Sequence, residues 1–363
     1  MLNFFDSVTD PRKDRTKLHS LKDIIGLTIC AVISGCDDWE EIAIYGERKQ
    51  SFLRQFLSLP NGIPSHDTIN RVFAMLNPQE LQMCFIDWVQ SIAVITDGRI
   101  VSIDGKRMCN SGEDGKKAFI HLVSAWCNSN NMVLGQQKTD AKSNEITAIP
   151  ALLDLLVVSG AIVTIDAMGC QTAIASKIVD QGADYVLAVK ENQAYLLDDL
   201  QEAFEQTPHA ASHTCVEKSH GRIEKRTCRM ITDTDWIGKK EQWENLQSMV
   251  VIESERTLLP TGEKQTEQRF YISSLLTTAE HFNQIVRQHW SIENKLHWSL
   301  DVTFKEDLST KQAGNAAENF AIITKIALNL LKNNTSQKKS IKKKRLISLL
   351  NDDFMVKSVF NQI

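Results

Sequence analysis

The chain has 363 residues, 42% of them hydrophobic and 24% charged, with a formal net charge of −4. That length suits a catalytic domain plus an accessory one, and the composition is that of an ordinary globular protein able to bury a sizeable core. The mild negative charge speaks against a protein that coats nucleic acid. Basic residues nevertheless gather locally, at Arg12, Lys13, Arg15 and Lys17 and again over 338–345. The eight cysteines (30, 36, 84, 109, 127, 170, 215 and 228) show no C-x-x-C pair and no metal-ligand spacing. Several lie inside apolar runs, which reads as buried, reduced thiols. The N-terminus lacks a signal-peptide pattern, and no stretch approaches the ~18 uninterrupted apolar residues of a membrane span. A cytoplasmic protein without membrane association is therefore expected.

Residues 1 to about 96 read as an all-α domain. Leu21 to Ile33 is an apolar helix, and Asp38 is placed to cap a second one running through Trp39, Ile42, Tyr45, Phe52 and Phe56. Turn residues 59–64 make a loop. Ser65 then caps a short helix through Ile69, Val72 and Phe73, and Pro78 opens another ending near Ile95. Two helices joined this way fit a helix-turn-helix in which Arg71 meets DNA, or a plain bundle that exposes His66, Asn70 and Arg71.

The pattern changes at Asp97-Gly98. Three short strands (100–103, 118–126 and 132–136) precede alternating helices and strands up to about 205, which predicts one mixed sheet, antiparallel first and parallel afterwards. Residues 210–276 read as a β-rich insertion. Helix returns over 278–304 and 316–332, and residues 336–363 read as a basic, solvated tail with a short final helix. The expected division is a helical domain 1–96, an α/β domain 97–335 and this tail.

Asp104 and Asp166 each end an apolar strand, and each is followed by a small residue. Ligands in open sheets collect beyond the carboxyl ends of strands. Two carboxylates on neighbouring strands repel one another unless a cation neutralises them, and Mg²⁺ or Mn²⁺ with oxygen ligands would do so. Each Asp taken alone could instead cap a turn. On the helix from His281 to Leu300, a 3.6-residue period puts Glu293 in a stripe with Phe282, Val286, His289, Trp290, Leu296, His297 and Leu300. A lone carboxylate there would cost on the order of several kcal/mol, so the same cations could be its partner. His289 or His297 could serve instead, and Asp301, Glu306 and Asp307 are rival third acids.

Ile103-Asp104-Gly105-Lys106, Thr164-Ile165-Asp166-Ala167-Met168-Gly169-Cys170 and His289-Trp290-x-Ile292-Glu293-Asn294 resemble the three acidic motifs of insertion-sequence transposases, and most closely those of the H-repeat-associated transposases. Further matches are the motif at 62–68, Lys142-Ser143-Asn144-Glu145-Ile146-Thr147, His220-Gly221-Arg222-Ile223-Glu224 and Gly314-Asn315-Ala316-x-Glu318-Asn319. The resemblance implies a ribonuclease-H-like core with a β-insertion before the acidic helix, preceded by a DNA-associating domain. It further implies strand cleavage and transfer with two Mg²⁺ or Mn²⁺ ions, bridged by Asp104 and completed by Asp166 and Glu293. The partner would be double-stranded DNA, both element ends and target, bound by a homodimer.

Three departures accompany this likeness. Val286, His289 and Leu300 stand where relatives often carry Tyr, Arg and Lys. Arg107-Met108-Cys109-Asn110 replaces the usual Thr-Leu-Arg-Gly, and residues 308–312 are poor in Arg. Redistributed phosphate contacts and a drift towards inactivity both fit. Lys106 and Lys190, at strand ends, are candidate phosphate binders. So are His220, Arg222 and Arg226, which share one face of an extended strand, and His289 could reach a phosphate. An exposed hairpin of mixed charge is the plain alternative for the insertion. A DNA-binding protein without catalysis and a nuclease that hydrolyses without joining are the competing functions.

Overall fold

Nine strands line up in one sheet in the order β3-β2-β1-β4-β5-β9-β8-β7-β6. The computed structural model describes residues 1–93, 98–108, 120–139, 145–219 and 221–360. Asp97, Cys109, Asn110, Lys142, Ser143, Asn144 and His220 lie outside the described residues. The strands are β1 (Ile100–Met108), β2 (Ile120–Cys127), β3 (Met132–Lys138), β4 (Ile162–Ile165) and β5 (Asp184–Val189), then β6 (Ala211–Ser219), β7 (Arg222–Ile231), β8 (Ser248–Leu258) and β9 (Lys264–Ser273). β1 to β3 pair antiparallel, while β1, β4 and β5 run parallel, as the order of strands and helices in the sequence predicts. The β-rich insertion is not a separate layer. β9 pairs antiparallel with β5, so the four strands 211–273 extend the same sheet.

Alternation along the strands sorts side chains to the two faces. Ile100, Ile162, Val186, Val250 and Ile252 pack beneath Phe282, Ile285 and Val286 of α8 (Ala279–His289). Val101, Ile103, Val163, Leu187 and Val251 join the larger core on the other face. That core includes α5 (Glu145–Leu155), α6 (Thr172–Asp180) and α7 (Ala194–Gln206).

The helical body begins with α1 (Leu21–Ile33), capped by Ser20 and buried on nearly every side. α2 (Trp39–Leu53) starts with the predicted Asp38 cap, completed as a capping box by Glu41. Ser65 caps α3 (His66–Met75), and Asn77 with Pro78 opens α4 (Pro78–Ile92). α9 (Ala316–Asn333) runs buried through this body. Asn319 donates to Phe73 O (2.8 Å) and Leu76 O (3.0 Å), satisfying carbonyls at the end of α3. Gly314 has φ +49°, and a Cβ there would stand 2.6 Å from Ala74 O. The Gly314–Asn319 motif is thus a clasp between α3 and α9. At the other end of α9, Asn329 exchanges two 2.9 Å hydrogen bonds with the backbone of Val133 and caps the β3 edge.

The basic stretch near the C-terminus is only partly solvated: Lys338, Lys339, Lys342 and Lys343 are exposed, while Lys344 and Arg345 are buried. It forms α10 (Ile341–Leu350), followed by α11 (Asp352–Phe360). Lys344 donates to Leu331 O (2.8 Å) and Asn334 O (2.7 Å), and Arg345 reaches Thr303 O (2.6 Å) and Asp37. Counting charges cannot distinguish a lysine in water from one that satisfies the carbonyls ending a neighbouring helix. The seven described cysteines are free, five of them buried. No helix among the described residues is long and apolar enough to cross a membrane.

Candidate active site

β1 does not end at Asp104. It runs on to Met108 against β2, while its parallel partner β4 stops at Ile165. Asp104 therefore stands where one side of the strand has lost its neighbour, and Asp166 is the first residue past the end of β4. Alternation puts Asp104 on the α8 face with Ile100 and Ser102. Asp166 precedes a single 3-10 turn, Ala167–Gly169. That turn is held from the side by Asn192, which donates to Ala167 O at 2.8 Å.

Burial drives the Asp104 carboxyl up to about 7, helped by repulsion from Asp166, Glu145 and Glu293 and opposed by the Gly105 N–H, 2.9 Å from Oδ1. Asp166 is also raised by burial, with the amides of Gly169 and Met168, then Lys190 and His121, acting against the rise. Its Oδ1 is buried without a hydrogen-bond partner. A buried acceptor left in this state calls for a cation or a donor. Oxygen donors on adjacent strands, one of them unpartnered, fit a hard divalent ion. Among the described residues, however, no three or more His, Cys, Asp or Glu side chains are drawn close enough to hold a metal ion.

Glu293 requires a correction. It is exposed, not part of an apolar stripe, because the chain from Ile292 to Thr303 is π-helical and no longer follows a 3.6-residue period. The Trp298 N–H donates to Glu293 O and that of Phe304 to Ser299 O (3.2 Å), each five residues back. Ile292, Leu296, His297 and Leu300 turn inward instead, and Glu293 points out yet stays near enough to raise Asp104. π-helical turns are uncommon and concentrate at functional sites.

The rival acids are committed elsewhere. Lys106 reaches Asp301 at 2.6 Å, Asp307 at 3.0 Å and Glu306 at 3.2 Å, and buried Lys325 stands 3.9 Å from Glu306. Burial would lower the Lys106 ammonium, but Glu306, Asp301 and Asp307 outweigh it and hold it above its ordinary value. Its charge is spent inside the protein, where phosphate contact was expected. His297 Nδ1 lies 3.6 Å from Asp104 Oδ2, and burial with Lys325 and Lys106 nearby pushes the ring down to about 3, so it is neutral.

His289 is half-buried and neutral, pushed down to about 4 by desolvation and by Arg269, with Nδ1 2.9 Å from Thr164 Oγ1. Thr164 donates to Ser102 (3.1 Å), which also accepts from Asn128 (3.0 Å), and Asn128 accepts from Ser291. This polar chain fastens the end of α8 to β1 and β4 beneath the two aspartates; it occupies the histidine that the sequence offered to a phosphate. Val286 and Leu300 are core residues.

Lys190 is exposed at the end of β5, close enough to act on Asp166. Arg71 is exposed on α3 and bonded to its own helix, at Asp67 O (3.3 Å) and Thr68 Oγ1 (3.4 Å). Arg222 and Arg226 enter a cleft of about 560 Å³ between β7–β9 and α8, which also contains Arg256, Arg269, Arg287 and, beside Asn294, Glu293 itself. Arg226 is buried against Glu217 and Glu224, both at 3.0 Å. Arg269 stacks on Trp290 with its guanidinium 4.3 Å from the ring centre.

Two residues of the acidic cluster escaped sequence reasoning. Glu145 opens α5, and its Oε1 lies 2.8 Å from His121 Nε2 on β2. Burial, then Asp166, raises Glu145 to about 7, while burial, then Arg107, lowers His121. An acid in the first turn of a helix reads as ordinary dipole compensation. The motif spanning 142–147 was the available signal.

A mixed sheet carrying acids on two parallel neighbours, followed by a β-rich insertion and a further acid-bearing helix, is a ribonuclease-H-like arrangement. The profile of the Transposase DDE domain matches residues 90–330, and that described as DDE_Tnp_1-associated matches residues 2–89. The chain belongs to this DDE transposase family. It is 41% identical over 353 residues to "H repeat-associated putative transposase YhhI" of Escherichia coli strain K12, covering 95% of this chain and 93% of the relative. It is 43% identical over 360 residues to "Putative transposase YncI" of Escherichia coli O157:H7, covering 97% and 92%. A shorter relative, "Inactive transposase YbfQ" of strain K12, is 52% identical over 63 residues, 17% of this chain and 75% of the relative.

Proposed function

We propose that this transposase binds the ends of its own DNA element and catalyses strand cleavage and strand transfer with Asp104, Asp166 and Glu293 as its metal-holding carboxylates. The observation that carries the reading is Asp104 beside Asp166 where β4 stops, with Asp166 Oδ1 buried without a hydrogen-bond partner and Asp166, Glu145 and Glu293 close enough to raise the Asp104 carboxyl. Repelling charges assembled at a strand end are costly unless a cation is to be bound. Mg²⁺ or Mn²⁺ held there supplies Lewis-acid activation of water or of a DNA 3′-hydroxyl and neutralises charge on the leaving oxygen.

The remaining roles belong to side chains of the chain itself. Arg222, Arg256 and Arg287 line a cleft ending at Glu293, which suits a phosphate backbone led towards the carboxylates. Lys190 is placed to take a phosphate beside Asp166. Arg71 on α3 and His220 remain candidate DNA contacts. Pairing of two copies on two element ends accounts for a homodimer. Neutral His297 leaves the charge at Asp104 undiminished. The chemistry needs no nucleophilic Ser or Tyr.

The test is Mn²⁺- or Mg²⁺-dependent cleavage of DNA carrying the inverted repeats that flank the coding region. Wild type should cut and join, and Asp104→Asn, Asp166→Asn and Glu293→Gln should each lose activity while still binding the DNA. Equal cutting by all three variants sinks the carboxylate assignment. Binding by wild type without any cutting would instead favour a DNA-binding protein, the reading that the internal commitment of His289, Val286 and Leu300 supports.

A further inference from the structure

One motif remains without a role in this chemistry, that of residues 142–147. From it, Glu145 projects to His121 Nε2 at 2.8 Å. Both side chains press on the backbone of Gly105: a Cβ built there would overlap Glu145 Oε1 and stand 2.7 Å from His121 Nε2. Real Cβ atoms essentially never show such separations, so residue 105 must be glycine for the pair to sit where it does. The demand is steric, since Gly105 is not among the positive-φ glycines. The same glycine donates its N–H to Asp104 Oδ1 at 2.9 Å.

The pair is poorly explained as packing. Glu145 has only 11% of its side chain exposed and stands within electrostatic reach of Asp166 and Asp104. An apolar side chain would fill this space without desolvating a carboxylate beside two others. What the pair does provide is a hydrogen-bonded contact against the one peptide whose N–H orients Asp104.

We propose that Glu145 and His121 are positioning residues for Asp104, acting through Gly105 to hold its carboxylate in the orientation that strand cleavage requires. The inference rests on the strand-transfer reading above. Misplacing a reacting group by about 1 Å can cost on the order of 100-fold in rate, so losses of about 10- to 100-fold are expected.

Single-turnover cleavage of element-end DNA with Mn²⁺ tests this, using wild type, Asp104→Asn, Glu145→Gln, Glu145→Ala, Gly105→Ala and the double variant Gly105→Ala/Glu145→Ala. Positioning lowers the single-turnover rate constant at unchanged DNA affinity. A purely structural role lowers only the amplitude, because fewer molecules are folded. Glu145→Ala and Gly105→Ala should each slow the step about 10-fold or more, with Glu145→Gln milder. The double variant should lose less than the product of the two single losses, because the closest overlap at residue 105, with Glu145, is gone and only the His121 contact remains. If Asp104→Asn is inactive while the Glu145 and Gly105 variants keep the wild-type rate constant, this inference alone is overturned. Multiplicative losses in the double variant, or losses confined to amplitude, overturn it as well. If wild type fails to cut, it falls together with the reading on which it rests.

Discussion

Replacing Asp104 by asparagine is expected to stabilise the cation-free protein at pH 8 while abolishing cleavage. The carboxyl rises from 3.8 to about 7 in the folded chain. Each pH unit between those values over which the native state alone keeps the proton is worth about 1.4 kcal/mol. The whole span corresponds to about 4 kcal/mol, and the quarter of the side chain that remains exposed reduces this to about 2–3 kcal/mol. Because the folded state holds the proton more tightly, its contribution is complete below about pH 4 and is lost as the pH rises to about 7. Asparagine carries no such charge and keeps an oxygen for the Gly105 N–H. Thermal unfolding in EDTA should give a Tm for Asp104→Asn roughly 3–4 °C above wild type at pH 8 and little difference at pH 4. Adding Mn²⁺ should raise the wild-type Tm and leave the variant's nearly unchanged, since binding to the native state alone stabilises it. Equal melting of the two proteins at pH 8 without cation, or equal stabilisation by Mn²⁺, would refute the claim that repelling charge is stored at this site.

Lys106→Met should destabilise the fold by about 3–5 kcal/mol in urea unfolding, because it strands the buried Glu306, with Lys325 3.9 Å away, and the half-buried Asp301. Gly314→Ala should cost about 1–3 kcal/mol in the same assay, from a left-handed φ combined with a Cβ 2.6 Å from Ala74 O. Arg287→Ala, exposed at the cleft, should leave Tm within about 1 °C of wild type. It should also reduce the slope of log K against log salt for DNA by roughly one, as loss of a single phosphate contact does. An unchanged slope would exclude this arginine from the DNA path.

The helices of the N-terminal body were legible because their signals are local. Ser20, Asp38, Ser65 and Asn77 each cap the helix that follows, and a capping hydrogen bond spans only a few residues. Asp104 and Asp166 were legible for a related reason: each follows a run of β-branched residues that makes a buried parallel strand. Glu293 was singled out by an apolar helical stripe and by its motif, and the stripe was wrong. Extrapolating an α-helical period assumes i→i+4 hydrogen bonding throughout, and the bonds here step by five from Glu293 onward. Lys106 and His289 read as phosphate binders because a sequence displays their charge but not their partners. Those partners lie 195 to 201 residues away for Lys106 and 125 for His289.

The sequence by itself determined most strands, most helix starts, the mixed sheet and the placing of Asp104 and Asp166 on neighbouring strands, since each follows from periodicity or capping over a handful of neighbours. Only tertiary structure decided how the β-insertion joins the sheet, that Lys344 and Arg345 of α10 are buried, and that Lys106 and His289 are spent on internal partners. It also brought Glu145 and His121 together against Gly105. Sheet order, burial and pairing over such separations depend on which surfaces meet, and a chain read one window at a time carries no record of that. For Asp104, local pattern places the carboxylate at the site, while its raised proton affinity comes from burial and from acids brought in by three other elements.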